Sequence, residues 1–116
     1  MRSVRRLPRP ASVIARIWHG RTPADRAEAF VAFLRARALP DYAAADGCVG
    51  AYVLHRVDGE IAHVQTLTFW RDRDAVRAFA GGDATRATYY PEADDFLLEK
   101  EPHVRLFRVA EGIPLA

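Results

Sequence analysis

Apolar and polar positions recur along this chain with two different periods, and the changes of period mark its elements. Val13 to Trp18 is apolar except for Arg16, which predicts a strand of about six residues ended by His19-Gly20. Thr22-Pro23-Ala24-Asp25 predicts a helix start, with Thr22 as cap, Pro23 where no amide bond is lost, and Asp25 reaching back. Ala27, Phe30, Val31, Leu34 and Ala38 then repeat at three- and four-residue spacing, so one face of that helix should pack, with Pro40 closing it. Asp46-Gly47 predicts a turn. Val49 to Val57 and Ile61 to Trp70 flank Asp58-Gly59 as the two arms of a hairpin. Asp72 can cap a short helix carrying Val76 and Phe79, stopped by Gly81-Gly82. Asp83 can cap a further short turn, a possible lid that Pro91 interrupts after Tyr89-Tyr90. Phe96-Leu97-Leu98 anchors an acidic loop, and His103 to Val109 is a final strand. The tail after Glu111 is expected to be loose.

The order strand, helix, strand, strand, helix, strand predicts an α+β domain of the ferredoxin-like βαββαβ type over residues 12–110. Its four-stranded antiparallel sheet would carry helices on one face only. Yet both faces are apolar. Ala51 and Val53 oppose Tyr52 and Leu54, and Val64 and Trp70 oppose Leu67 and Phe69. The uncovered face needs a partner, and a second copy of the same sheet is the economical one, so a two-fold homodimer is expected.

A length of 116 residues suits one domain. The net charge of +2 comes entirely from Arg2, Arg5, Arg6 and Arg9, which leaves the rest mildly acidic and without a nucleic-acid footprint. Residues 1–11 are therefore expected to form a flexible basic arm, which Pro8 and Pro10 keep from becoming a helix. No apolar run approaches the ~20 residues of a membrane span, and Arg16 breaks the only stretch resembling a secretory signal. Cys48 is the single cysteine, so no intrachain disulfide exists and a cytoplasmic address is the simplest expectation.

Common catalytic signatures are absent. His19, His55, His63 and His103 never fall three to five residues apart, so no local metal-ligand spacing exists, and no glycine-rich phosphate loop is present. What remains is aromatic and polar residues among apolar ones. Trp70 can stack on a planar ligand with its N–H orienting it, or serve as a core residue with that N–H satisfied. Tyr89 and Tyr90 face different directions, so one can point inward. Arg16 either reaches the rim or neutralises an anionic ligand, and Trp18, in phase with it, lines the same cavity or the dimer face. His63 can act as a base near neutral pH, or be a hydrogen-bonded strand histidine.

Three stretches make the chain similar to the antibiotic biosynthesis monooxygenase family over about residues 12–110. These are Ile14-Ala15-Arg16-Ile17-Trp18-His19-Gly20, the pair Phe69-Trp70, and Tyr89-Tyr90-Pro91 through Phe96-Leu97-Leu98-Glu99 to Glu101-Pro102. The resemblance implies a dimeric α/β barrel. Its members include cofactor-independent oxygenases of reduced polycyclic phenols or quinols, and relatives that degrade haem. The oxygenases use a Trp and an Asn; Trp70 matches the Trp, while Thr66 stands where the Asn would fall. Haem degraders use an Asn on the first strand and a His on the helix after the third, and this chain has no Asn and no His within residues 72–90. The resemblance thus implies a cofactor-free monooxygenase of a planar phenol or quinol with Trp70 as the matching catalytic Trp orienting the substrate, and the residues themselves offer His63, or one of Tyr89 and Tyr90, as the catalytic group that handles the proton. Arg16, Trp18, Thr66 and Phe69 would contact the small aromatic substrate, with no metal. A non-catalytic dimeric binding or stress-response module using the same cavity is the alternative.

Overall fold

Alternation in the first apolar stretch does not stop at His19-Gly20. In the computed structural model, which describes residues 12–115, β1 (Ile14–Pro23) runs for ten residues, longer than the sequence suggests. The basic arm expected over residues 1–11 lies outside the described residues. Ile14, Arg16, Trp18, Gly20 and Thr22 point to one side and are buried there. Gly20 continues the strand instead of ending it, because the Trp18 indole lies across it. A Cβ at position 20 would meet Trp18 Cη2 at 2.5 Å and Leu97 Cδ2 at 2.8 Å. Thr22 is likewise a strand residue and no helix cap; its hydroxyl donates to the Phe96 carbonyl at 2.8 Å.

A short 3-10 turn over Ala24–Arg26 leads into α1 (Ala27–Ala44). Its buried stripe is Ala27, Phe30, Leu34, Ala38 and Tyr42, a spacing of three then fours. The helix passes through Pro40, where the sequence predicts its end. Pro40 is exposed, so the hydrogen bond it cannot make is lost on the solvent side, while buried Ala38 and Tyr42 hold the helix on either side of it. Burying a side chain such as Phe30, 1% exposed, is worth about 2–3 kcal/mol, enough to offset much of a proline penalty.

The hairpin forms as expected from β2 (Cys48–Asp58) and β3 (Ile61–Trp70), with Gly59 in the left-handed conformation at its turn. A bulge between Cys48 and Gly50 shifts the start of β2. α2 (Arg73–Ala80) is capped by Asp72, whose carboxylate accepts from the Ala75 amide at 2.9 Å, and ends at left-handed Gly81. Residues 83–90 form no helix: Asp83 accepts from Thr85 in a local turn, and the Tyr89-Tyr90 stretch is irregular. A 3-10 turn follows at Pro91–Asp95, and β4 (Arg105–Arg108) is shorter than predicted.

The strands form one antiparallel sheet in the order β2-β3-β1-β4, and both helices pack on the same face. This is the ferredoxin-like α+β arrangement. On the other face, cross-strand neighbours Tyr52, Leu67 and Ile17 make one row, and Phe69, Ala15 and Phe107 the next. Tyr52, Leu54 and Phe107 are exposed there. Among the described residues no helix is long and apolar enough to cross a membrane.

The close approach at Gly20 gives a stability test. Gly20→Ala forces the Trp18 indole or Leu97 to shift, and urea unfolding should show a loss of about 1–3 kcal/mol. An unchanged midpoint would contradict the packing described.

Candidate functional site

Two rows of the buried sheet face set the floor of a cavity. Arg16 sits beside Thr68 of β3, and Trp18 beside Thr66. α1 lays Phe30, Leu34, Ala38 and Tyr42 over this floor, because those are its inward residues. The irregular segment after α2 forms the remaining wall through Tyr89, Tyr90 and Ala93. Phe96, stacked on Phe30 at 5.1 Å and 5.5 Å from Phe33, anchors that segment on α1. As it stands the cavity encloses about 30 Å³, room for little more than a water molecule. An aromatic ring is larger than this space, so binding one requires the cavity walls to move apart.

The polar groups at this cavity form two chains. Trp18 Nε1 donates to the Tyr89 hydroxyl at 3.2 Å, and that hydroxyl donates to the Glu101 carbonyl at 2.6 Å. The Tyr42 and Thr66 hydroxyls share a hydrogen bond at 3.3 Å. Arg16 is 2% exposed. Its Nη2 donates to the Arg86 carbonyl at 2.8 Å, its guanidinium lies 5.5 Å from the centre of the Phe79 ring, and its Nε has no acceptor. Among the described residues no carboxylate pairs with it. Burial pulls the Arg16 guanidinium below its ordinary value, and neighbouring Tyr42 offsets part of this. Burial also pushes the Tyr89 phenol up, and the Tyr90 phenol further, with Asp41 beside it adding to the effect. Both phenols are therefore protonated donors at neutral pH.

The strap is latched to α1 on its outer side. The Tyr90 hydroxyl donates to Asp41, Arg37 pairs with Glu92, and the Arg37 guanidinium lies 4.6 Å from the centre of the Tyr90 ring.

Of the eight residues singled out in the sequence, the fold gathers five: Arg16, Trp18, Thr66, Tyr89 and Tyr90. Trp70 stands behind the cavity. It is fully buried against Phe79 and Tyr42, and its N–H is spent on the Thr68 hydroxyl at 2.8 Å. That hydroxyl in turn donates to the Arg16 carbonyl at 3.3 Å, so Trp70 braces the strand carrying Arg16. The indole at the cavity is Trp18. His63 and Phe69 point to the opposite face of the sheet, because odd positions of β3 alternate with the buried even ones. There His63 Nδ1 lies 3.0 Å from His19 Nε2, and His19 Nδ1 lies 2.7 Å from Glu101. His63 thus corrects the expected base: no carboxylate and no imidazole lines the cavity. Tyr42, Phe30 and Phe33 are cavity residues that sequence reasoning missed. Phe30 and Tyr42 continue the buried stripe of α1, a signal that Pro40 obscured for Tyr42. Among the described residues no group of three or more metal-ligating side chains converges.

Comparison with protein-family models matches residues 11–89 to the antibiotic biosynthesis monooxygenase model. The chain belongs to the antibiotic biosynthesis monooxygenase family. Comparison with curated protein sequences gives no match. Solved structures share the family fold. A conserved protein from Methanosarcina mazei Go1 superposes with a TM-score of 0.63 at 16% identity, covering 85% of this chain and 94% of that one. The protein Rv0793 from Mycobacterium tuberculosis gives 0.57 at 22% identity, covering 90% and 97%. A monooxygenase from the gene ActVA-Orf6 of Streptomyces coelicolor, in complex with the ligand nanaomycin D, gives 0.61 at 14% identity, covering 92% and 95%. At such identities the likeness is one of fold.

The phenol shifts in this family member carry a pH consequence. Tyr90 is harder to ionise folded than unfolded, so its contribution to stability is intact below about pH 10 and is lost as pH rises beyond that. The melting temperature should fall more steeply above pH 10 in the wild type than in Tyr90→Phe. Parallel slopes would contradict the assignment.

Proposed function

We propose that the protein is a cofactor-independent monooxygenase of a planar phenolic or quinol-type substrate, working as a homodimer. The observation that carries this reading is a cavity walled by Trp18, Phe30, Tyr42, Tyr89 and Tyr90, with a buried guanidinium at its floor. Aromatic walls with few polar groups suit a flat ring. Family membership supports the oxygen chemistry.

The substrate supplies the electrons. A ring methylene conjugated to a phenol loses a proton to solvent water, since no carboxylate or imidazole lines the cavity, to give a delocalised anion, which passes one electron to O2. The resulting radical pair combines, forming a C–O bond and, with a proton, a hydroperoxide. Loss of water from that hydroperoxide breaks the O–O bond and leaves a ring carbonyl. One oxygen atom enters the product and the other leaves as water, and the four electrons taken up by O2 come from the substrate carbon. Within this scheme the Trp18–Tyr89 pair orients the ring, and Trp70 acts as a positioning residue through Thr68.

The second copy would cover the exposed sheet face, where Tyr52, Leu54 and Phe107 join Ile17, Leu67 and Phe69. Phe69 and His63 then serve the interface and not the substrate. A cytoplasmic site of action agrees with the lone Cys48, whose thiol is half-buried and pushed up by that burial.

Oxygen uptake by metal-stripped protein, over a panel of quinols and anthrone-type phenols, tests the activity. Trp18→Phe should lower turnover by about tenfold or more, the cost of one lost orienting hydrogen bond, and His63→Gln should leave it unchanged. Binding across the panel without uptake would make the protein a binding module. Sedimentation at micromolar concentration should give a dimer; a monomer would contradict the second copy.

A further inference from the structure

We propose that the outer face of the sheet carries a second site, an acyl-accepting imidazole at His63 that hydrolyses small activated esters. The site is separate from the cavity under the helices and does not depend on the oxygenase reading.

Three side chains from three segments meet in line there. A Glu101 carboxylate oxygen lies 2.7 Å from His19 Nδ1, and His19 Nε2 lies 3.0 Å from His63 Nδ1. The two imidazole planes differ by 25° with ring centres 5.3 Å apart, so the rings meet end to end. This order fixes the protons of the neutral pair. A carboxylate only accepts, so His19 Nδ1 carries the hydrogen and donates to Glu101. His19 Nε2 is then a bare acceptor, and His63 Nδ1 donates to it. His63 Nε2 is left unprotonated, with no hydrogen-bond partner among the described residues.

The Nδ1 edge of the His63 ring faces β1, so the Nε2 edge faces β2. On that side lies an open cavity of about 210 Å³, whose lining includes Leu54, Arg56, His63 and Gln65. Arg56 stands directly across from His63 in β2, and Gln65 is the next residue on the same face of β3. Asp58 holds Arg56 only loosely, at 3.6 Å. The N–H groups of Arg56 and Gln65 can receive a carbonyl oxygen beside the imidazole, and Leu54 gives the acyl group an apolar wall. The second copy proposed above seats on the rows through Leu67 and Phe69. His63 lies two rows beyond Leu67, toward the hairpin turn, and so at the margin of that interface.

Nucleophile, base and orienting carboxylate thus follow one another in a chain. His63 Nε2 attacks the ester carbonyl carbon, a C–N bond forms, and the carbonyl electron pair moves onto the oxygen facing Arg56 and Gln65. Collapse breaks the C–O bond and expels the leaving group with its electron pair. The Nδ1 proton passes to His19 Nε2, giving an imidazolium held by the Glu101 carboxylate. Water then adds its hydroxyl to the acyl carbon, the C–N bond breaks, and His19 returns its proton to Nδ1. The remaining proton of that water goes to the expelled leaving group. His63 is the catalytic residue, and His19 and Glu101 are positioning residues.

p-Nitrophenyl acetate is the probe, with nitrophenol release followed by absorbance on the full chain. His63→Gln should lower the protein-dependent rate by about tenfold or more, and His103→Gln should leave it unchanged. Nitrogen NMR of the imidazoles reads the relay apart from the rate. Wild-type His63 should carry its hydrogen on Nδ1. His19→Phe should return it to Nε2, the form a free imidazole favours, and slow hydrolysis by about tenfold. Glu101→Gln, which keeps an acceptor, should hold the tautomer and lose part of the rate. If His19→Phe does not fold, the wild-type tautomer and His63→Gln still decide the matter. A hydrogen on Nε2 of wild-type His63 would overturn the relay. Hydrolysis by His63→Gln as fast as by the wild type would overturn the acyl site.

Discussion

A guanidinium buried on an inner strand constrains everything built around it. Arg16 sits between β3 and β4 in the sheet and beneath the helices, and its charge has to be accommodated by the elements that cover it. The accommodation is visible in the packing. Phe79 of α2 offers its ring face, the chain after α2 turns the Arg86 carbonyl inward, and Trp70 and Thr68 hold the backbone of β1 from behind. Each of these contacts comes from a different element. The position of the charge therefore links α2, the strap and both inner strands into one unit, and the cavity is the space this unit leaves between Arg16, Trp18 and α1.

The two faces of the sheet divide the chemistry. Even positions of β1 and β3 carry Arg16, Trp18, Thr66 and Thr68 toward the helices; odd positions carry His19, His63, Leu67 and Phe69 away from them. A period of two makes this partition strict, since a side chain one residue along lies on the other side of a sheet. The Glu101–His19–His63 chain is thereby separated from the cavity, although the Glu101 carbonyl accepts from Tyr89. That residue ties the strap to both faces.

The hairpin at Asp58-Gly59, the Asp72 cap, the Gly81 stop and the antiparallel βαββαβ order were all legible, because each rests on local chemistry read over a few residues. The misjudged boundaries have long-range causes. Gly20 reads as a strand end until the Trp18 indole is seen lying over it, and Pro40 reads as a helix stop until Tyr42 is seen locked beneath α1. The site was legible in composition more than in arrangement. Arg16 and Trp18 stood out as polar and aromatic residues in phase on an apolar strand. That Trp70 is a core residue and Trp18 the cavity indole depends on whether Thr68 satisfies the Trp70 N–H, which spacing alone does not reveal. His63 was misplaced for a simpler reason: its parity relative to Trp70 puts it on the opposite face.

The central claim is that a planar phenol enters between β1, α1 and the tyrosine strap, on the Trp18 side of Trp70. The chain holds only two tryptophans, so their indole N–H resonances report on that claim separately. Titrating the isotope-labelled protein with 2-naphthol should shift the Trp18 indole N–H saturably, since its bond to Tyr89 borders the cavity, and leave the Trp70 resonance in place behind Thr68. A saturable shift of Trp70 with Trp18 unmoved would contradict the account.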